Sequence, residues 1–210
     1  RILRAIRFAT TLDFELEESL KNSIKKYGYL LNNLSFFYKK RELEKIFSSS
    51  NIKKGLSLIS EFNLDVPLNL KNIKNLVVTN SIIGIWAQLD VVDIYPFTKE
   101  ETSLIKAIKR LDKKDLFDSH ILYNNELITL KIAAEIRNIN PNLISEKYNH
   151  LKIHSRRDIL INFIEISSLL NCSDKVKINN IMIDIEHMIL IDKLENNKQS
   201  LTDYILKKYS

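Results

Sequence analysis

An all-α fold is predicted by three features of this 210-residue chain. Glycine and proline, the residues that interrupt helices, number only three each. Apolar residues recur every three to four positions along nearly the whole chain, which is the helical period. Polar clusters such as Ser48, Ser49, Ser50 and Asn51 punctuate these segments and offer caps. In the first segment, Ile2, Ala5, Ile6, Ala9 and Leu12 form an apolar stripe centred near Ala5 and Ala9, with Arg1, Arg4 and Arg7 along one flank. Leu16, Leu20 and Ile24 continue with a period near four, and Gly28 is a candidate stop or turn. Leu43, Ile46 and Phe47 supply the next stripe. A further helix is predicted from Gly55 to Leu64, followed by a turn around Pro67. The apolar stretch from Ile82 to Leu89, with Trp86, reads as core, and Pro96 and Pro141 mark breaks. Between those prolines, Thr102 to Leu111 and Leu127 to Ile136 have helical spacing. Ser155 and Asp158 then fit a capping box ahead of the apolar run Ile159 to Ile166. No internal repeat of fixed period and no low-complexity tail is evident.

Composition bounds the class. Hydrophobic residues make up 45% of the chain, enough to fill one sizeable core or two to three small ones. No apolar run approaches the ~18 residues of a membrane span. The start, with its distributed arginines, does not resemble a secretory signal, so the reading is a soluble cytoplasmic protein. Cys172 is the sole cysteine, which excludes an internal disulfide. The formal charge of +6 fits an anionic partner and equally fits a compositional bias towards lysine. The arginine row sharpens that choice. A guanidinium is always charged and presents a planar fork of donors, suited to triphosphate oxygens or a base edge. A solvated basic flank has the same spacing.

The residues of that row carry a resemblance. RILRAIRFATTLDF is similar to the neck of bacterial class II CCA-adding enzymes, the tRNA nucleotidyltransferases and their poly(A) polymerase relatives, which reads approximately EDxLRxLRAxRFxxxLxF. Arg1 falls on the arginine of the family's EDxxR nucleotide-recognition motif. Arg41 to Leu64, RELEKIFSSSNIKKGLSLISEFNL, resembles the family's ExxKIL element and GLxxLxxxGL helix, with Asn63 where the second glycine stands. KIHSRRDILI resembles PIKSRKDLAI, and IEHMILIDKLENNKQSLTDYI resembles IExxVLxGxLxNxxxxLxxYI. The resemblance implies a helical neck (1–47), body (48–144) and tail (145–210), the C-terminal portion of a longer enzyme whose α/β head lies outside this sequence. It implies that Arg1, Arg4 and Arg7 line the pocket for incoming CTP or ATP, and that body and tail hold tRNA. Mg²⁺ is then expected in the head, on an Asp-x-Asp pair, and the 210 residues are expected to be inactive alone. Two departures stand out. The family's Ser-x-Glu-Arg-Ile is here Ser35, Phe36, Phe37, Tyr38, Lys39, so its Glu-Arg pin is missing and packing by Phe37 and Tyr38 is the candidate substitute. The glycine- and proline-bearing turn of the tail is replaced by Asn171 to Lys177, for which an exposed loop is expected.

Other constellations are weaker. Lys152, His154, Arg156 and Arg157 place four donors within six residues; either they flank a basic helix start, or Ser155 caps the helix and its amides with these cations grip an RNA phosphate. Asp90 and Asp93, spaced by three, read as solvated or capping residues rather than metal ligands. His150 and His154 have helical ligand spacing without a third ligand. Cys172 and His187 lack an orienting third group for nucleophilic work. A different class of function also fits, a stand-alone helical RNA-binding or interaction module without catalytic activity.

Overall fold

The computed structural model describes residues 1–210 and contains helices, turns and loops without strands. Thirteen α-helices follow in order: α1 (Ile2–Thr11), α2 (Glu18–Tyr27), α3 (Phe36–Phe47), α4 (Ile52–Glu61), α5 (Asp65–Leu68), α6 (Ile82–Gln88), α7 (Lys99–Arg110), α8 (Ser119–Tyr123), α9 (Leu127–Ile136), α10 (Pro141–Asn149), α11 (Phe163–Leu169), α12 (Lys175–Leu190) and α13 (Lys198–Tyr209). Short 3₁₀ turns occupy Gly28–Asn33, Ile73–Asn75 and Arg156–Asp158. The all-α prediction holds, and the α9 bounds coincide with the predicted segment.

The chain forms two compact units, Arg1–Lys113 with Lys131–Pro141, and Lys114–Leu130 with Asn142–Ser210. The segments predicted as neck and body are therefore not separated by their cores: α1, α3 and α4 pack together, and Leu3, Ile46, Ile59 and Trp86 share one buried cluster.

In the first unit, α1 buries Leu3, Ile6, Ala9 and Thr10. The stripe is thus rotated from the predicted one, and Leu12, just past the helix end, is 67% exposed. Thr10 turns inward because its hydroxyl donates to Ile6 O at 2.8 Å, which removes the cost of burying it. α4 approaches α1 and α3 closely at Gly55, where a Cβ would lie 2.5 Å from Ile46 Cγ2 and 2.8 Å from Thr10 Oγ1. Around Trp86 the rings of Phe47, Tyr95 and Phe97 stand 4.9–5.3 Å away, centroid to centroid, and Tyr95 Oη donates to Leu68 O at 2.6 Å.

Gly28 closes α2, as expected of a stop or turn, but not as a left-handed cap. Its backbone is right-handed, and the 3₁₀ turn starts there. The left-handed turns belong instead to nine non-glycine residues: Asn63, Asn69, Asn72, Asn138, Asn171, Asp13, Asp90, Asp192 and Lys113. Asn and Asp tolerate this region best after glycine because their short polar side chains bond locally. This explains how so many turns are made with three glycines. Asn63 adopts the left-handed conformation expected of it, and Asn171 does the same in the tail, where the loop expected to reach Lys177 ends at Asp174, whose side chain caps α12.

In the second unit, α12 buries Ile178, Ile181, Ile185 and Ile189 in a cluster completed by Ile153, Ile166, Leu201 and Ile205. Polar clasps fix its neighbours. Glu186 Oε1 on α12 accepts from Tyr123 Oη at 2.6 Å and from Arg156 Nε at 2.9 Å. Asp184 accepts from Tyr204 Oη, Tyr209 Oη and Lys208 Nζ, binding α13 to α12. Burial alone pushes the Asp184 carboxyl up, but the donors Tyr204, Lys208 and Tyr209 outweigh it and hold it below the ordinary carboxylate value.

Candidate nucleotide and RNA interface

The three arginines of α1 do not share one environment, and helix geometry says why. At ~100° per residue, Arg7 falls about 40° from Leu3, at the border of the buried face, whereas Arg4 and Arg1 lie about 100° and 160° away. Arg1 caps the helix with its carbonyl, which accepts from Ala5 N at 3.0 Å, and its side chain is exposed with no acidic partner. Arg4 is exposed as well, its guanidinium 5.8 Å from the Phe8 ring centroid. Arg7 is different. Its guanidinium lies 4.3 Å from the same centroid, and its Nε stands 3.5 Å from Glu42 Oε2.

Glu42 comes from α3 and is 2% exposed. Its other oxygen accepts from Lys45 Nζ at 3.2 Å, and Arg41 Nε is 3.9 Å away. The 3.5 Å contact to Arg7 lacks hydrogen-bond geometry, so Arg7 Nε and Glu42 Oε2 are buried and attract as charges only. Glu42 thus ties α1 to α3 without the family's Glu-Arg pair. Of the two aromatic candidates, Phe37 is 69% exposed and does not pack, whereas Tyr38 is half-buried against the core beneath the Arg41 guanidinium. Arg41 and Lys45 are exposed on the same helix. Glu42 is missed by site reasoning although it opens the very element, Glu42 to Lys45, that resembles ExxKIL; spacing alone does not reveal that its carboxylate is buried.

The basic segment of the second unit is largely engaged. Lys152 Nζ lies 2.8 Å from Asp192 Oδ1. The His154 ring packs edge-on against Tyr148, with Nε2 3.1 Å from Tyr148 O. Arg156 donates to Glu186 and, at 2.9 Å, to Asn179 Oδ1. Arg157 alone is exposed and without a partner. The expected helix start at Ser155 is a three-residue 3₁₀ turn, and α11 begins later under its own capping box, Asn162 with Glu165. The amides of His154 and Ser155 donate to Asp158 Oδ2 at 2.7 and 2.8 Å. A carboxylate of the chain itself therefore occupies the two amides just before the turn. The backbone donors hold the Asp158 carboxyl below its ordinary range, the His154 amide foremost.

The remaining candidates fall apart spatially. His187 Nδ1 stands 2.9 Å from His120 Nε2 rather than serving Cys172. His150 Nδ1 is 2.6 Å from Glu146 O, and His154 turns to Tyr148. Asp90 is ion-paired with Lys71 at 3.2 Å and Lys109 at 2.6 Å, and Asp93 is exposed. A carboxylate held by two ammonium groups, with no second acid beside it, is a poor Mg²⁺ ligand set; no three His, Cys, Asp or Glu side chains come together as metal ligands. These residues do not fit a Mg²⁺ site. No helix is long and apolar enough to cross a membrane.

No family model matches the chain. Individual proteins do. It is 24% identical to a CCA-adding enzyme of Bacillus cytotoxicus over 98% of its own length, and 25% identical to one of Streptococcus pneumoniae over 99%. In both cases it spans 59% of the relative, about three-fifths. A 61-residue stretch is 39% identical to a CCA-adding enzyme of Lactococcus lactis subsp. cremoris, covering 29% of this chain and 15% of that protein. Among solved structures, the crystal structure of the Bacillus stearothermophilus CCA-adding enzyme in complex with CTP superposes with a TM-score of 0.76 at 16% identity, over 99% of this chain and 60% of that one. That likeness shows the fold. The resemblance read from the motifs is borne out along the chain, and the helical architecture is consistent with the C-terminal portion of such an enzyme.

Proposed function

We propose that these 210 residues are the nucleotide-recognition and tRNA-binding part of a CCA-adding tRNA nucleotidyltransferase, acting in the cytoplasm. The observation that carries the reading is the disposition of α1: Arg1 and Arg4 present unpaired guanidiniums, while Arg7 is tied through buried Glu42 to α3. In this assignment Arg1 pairs with the base edge of incoming CTP or ATP, and Arg4 meets its ribose or phosphate. Arg7 takes the structural share and orients the helix that carries the other two. Arg157 and Lys152 contact the RNA backbone, Arg157 as the cation without a partner; His154 and Arg156 hold that segment in shape through Tyr148 and Glu186. Binding both partners in fixed geometry lowers the entropic part of the barrier to their reaction. In this assignment Mg²⁺ would neutralise charge at the transferring phosphoryl group and would be held by carboxylates of a nucleotidyltransferase head, not by these residues.

Two measurements test this. Purified 1–210 should bind tRNA and a tRNA minihelix with similar affinity whatever their sequence, and should add no labelled CMP or AMP to either. Incorporation by 1–210, or affinity no greater than for an unstructured RNA of equal length, overturns the assignment. In a protein joining this chain to a nucleotidyltransferase head, Arg1→Lys keeps charge but loses the fork, so discrimination among CTP, ATP, UTP and GTP should fall by about 1–3 kcal/mol. Unchanged selectivity removes Arg1 from recognition.

A further inference from the structure

The second unit contains a small recess of about 70 Å³ lined by Ser119, Lys147, His150, Lys152 and Asp192, with Leu151, Ile189 and Leu190 as its apolar wall. A single water needs ~10–15 Å³ on this measure, so the recess has room for a few waters. That suits one tetrahedral oxyanion and is too small for a nucleoside.

Two of its donors are unspent. Lys147 Nζ and Ser119 Oγ have no partner in the chain. The His150 ring places Nδ1 2.6 Å from the Glu146 carbonyl. A carbonyl only accepts, so that nitrogen carries the proton and the ring orientation is fixed. Nε2 is left without a protein partner and, with the proton on Nδ1, lines the recess as an acceptor. Lys152 meets the one acid in the lining, Asp192, at 2.8 Å. The two charges offset each other, and the ammonium of Lys147 is the uncompensated charge.

We infer that this recess, built from α8, α10, the start of the loop after it and the end of α12, is an oxyanion site for a backbone phosphate of RNA, with Lys147 as its principal cation and Ser119 as its hydrogen-bond donor. The RNA assignment rests on the function proposed above, whereas the site itself rests on the recess and its unspent donors. Its lining includes no residue of the Arg156–Asp158 turn, where Arg156 is held by Glu186 and the two preceding amides, of His154 and Ser155, by Asp158. Lys147 binds as a point charge, which suits recognition of shape rather than sequence.

Three proteins decide it: 1–210, Lys147→Gln and Ser119→Ala, with far-ultraviolet circular dichroism to confirm equal helicity. Inorganic phosphate, titrated against a chloride control of equal ionic strength, should shift the backbone amide of Ser119 and the His150 ring signals saturably in nuclear magnetic resonance spectra. The shift should vanish in Lys147→Gln and weaken in Ser119→Ala. For a tRNA minihelix, Lys147→Gln should bind about tenfold more weakly, as expected for one lost charge-assisted contact. Its slope of log affinity against log salt should also fall by about 0.7–0.9. No saturable phosphate shift in 1–210 overturns the site. Phosphate binding without any change in RNA affinity or slope overturns the RNA source and assigns the recess to free phosphate. If 1–210 binds no tRNA at all, the proposed function fails, and the phosphate titration still decides whether the recess binds an oxyanion.

Discussion

Replacing Glu42 should expose how α1 is held. At an effective dielectric near 20, unit charges 3.5 Å apart attract by about 5 kcal/mol before desolvation. The Glu42 side chain is 3% and Arg7 16% exposed, so desolvation cancels much of this. Glu42→Gln leaves Arg7 facing a neutral amide but still reachable by water, at a cost of about 2 kcal/mol, below the 3–5 kcal/mol typical of a fully buried pair. Arg7→Met keeps the aliphatic stem against its neighbours and leaves Glu42 with Lys45 and Arg41, which puts its cost at about 1–2 kcal/mol. The double variant should cost less than the two singles together, with a coupling of about 1–2 kcal/mol. Urea unfolding followed by Trp86 fluorescence is the assay. Trp86 is the sole tryptophan and sits in the core of the first unit, 5.1 Å from the Phe47 ring of α3. High salt should leave the coupling largely intact because the pair is shielded from solvent. A coupling under about 0.5 kcal/mol, within ordinary additivity error, would refute the pin.

Other consequences follow from the same packing. Gly55→Ala should destabilise the first unit by about 1–3 kcal/mol in the Trp86 assay, because the new methyl meets Ile46 and Thr10 and overpacking outweighs the ~1 kcal/mol gain in helix propensity; a neutral or stabilising result would mean α4 can retreat. Arg156→Ala should lower the stability of the second unit by about 1 kcal/mol, since Glu186 loses one of its two donors, whereas Arg157→Ala should leave stability unchanged and reduce the affinity and the salt slope of RNA binding. Equal stability losses for both arginines would contradict this division. Asp184 has a folded pKa below its ordinary 3.8, so its stabilisation is present above that value and is lost as pH falls through the lower folded one. Asp184→Asn should therefore flatten the acid arm of unfolding. It should also bring the Tyr209 hydroxyl, pushed up to about 12 by burial and then by Asp184, back towards 10.0 in a phenolate absorbance titration; an unmoved Tyr209 would contradict the clasp.

The helical class, the placement of α7 and α9, the row of Arg1, Arg4 and Arg7 and the likeness to CCA-adding enzymes were all legible in the sequence, because each depends on residues within a few turns of one another. Asn63 could also be read locally, since a left-handed residue is chosen by its own side chain. Which arginine stays free could not. Arg7 is paired by an acid thirty-five positions away, Arg156 by one thirty positions away, and Lys152 by one forty away. Those partners depend on which helix faces pack. The same holds for the space at Gly28 and Gly55: the sequence places them at a stop or turn and at a helix start, and the close approach of Leu64 and of Ile46 and Thr10 is what leaves no room for a side chain there. Spacing along one helix determined where charge is carried. Packing between helices decided which of that charge is neutralised inside the protein and which remains for a ligand, since a buried carboxylate takes the nearest cation whatever its position in the chain.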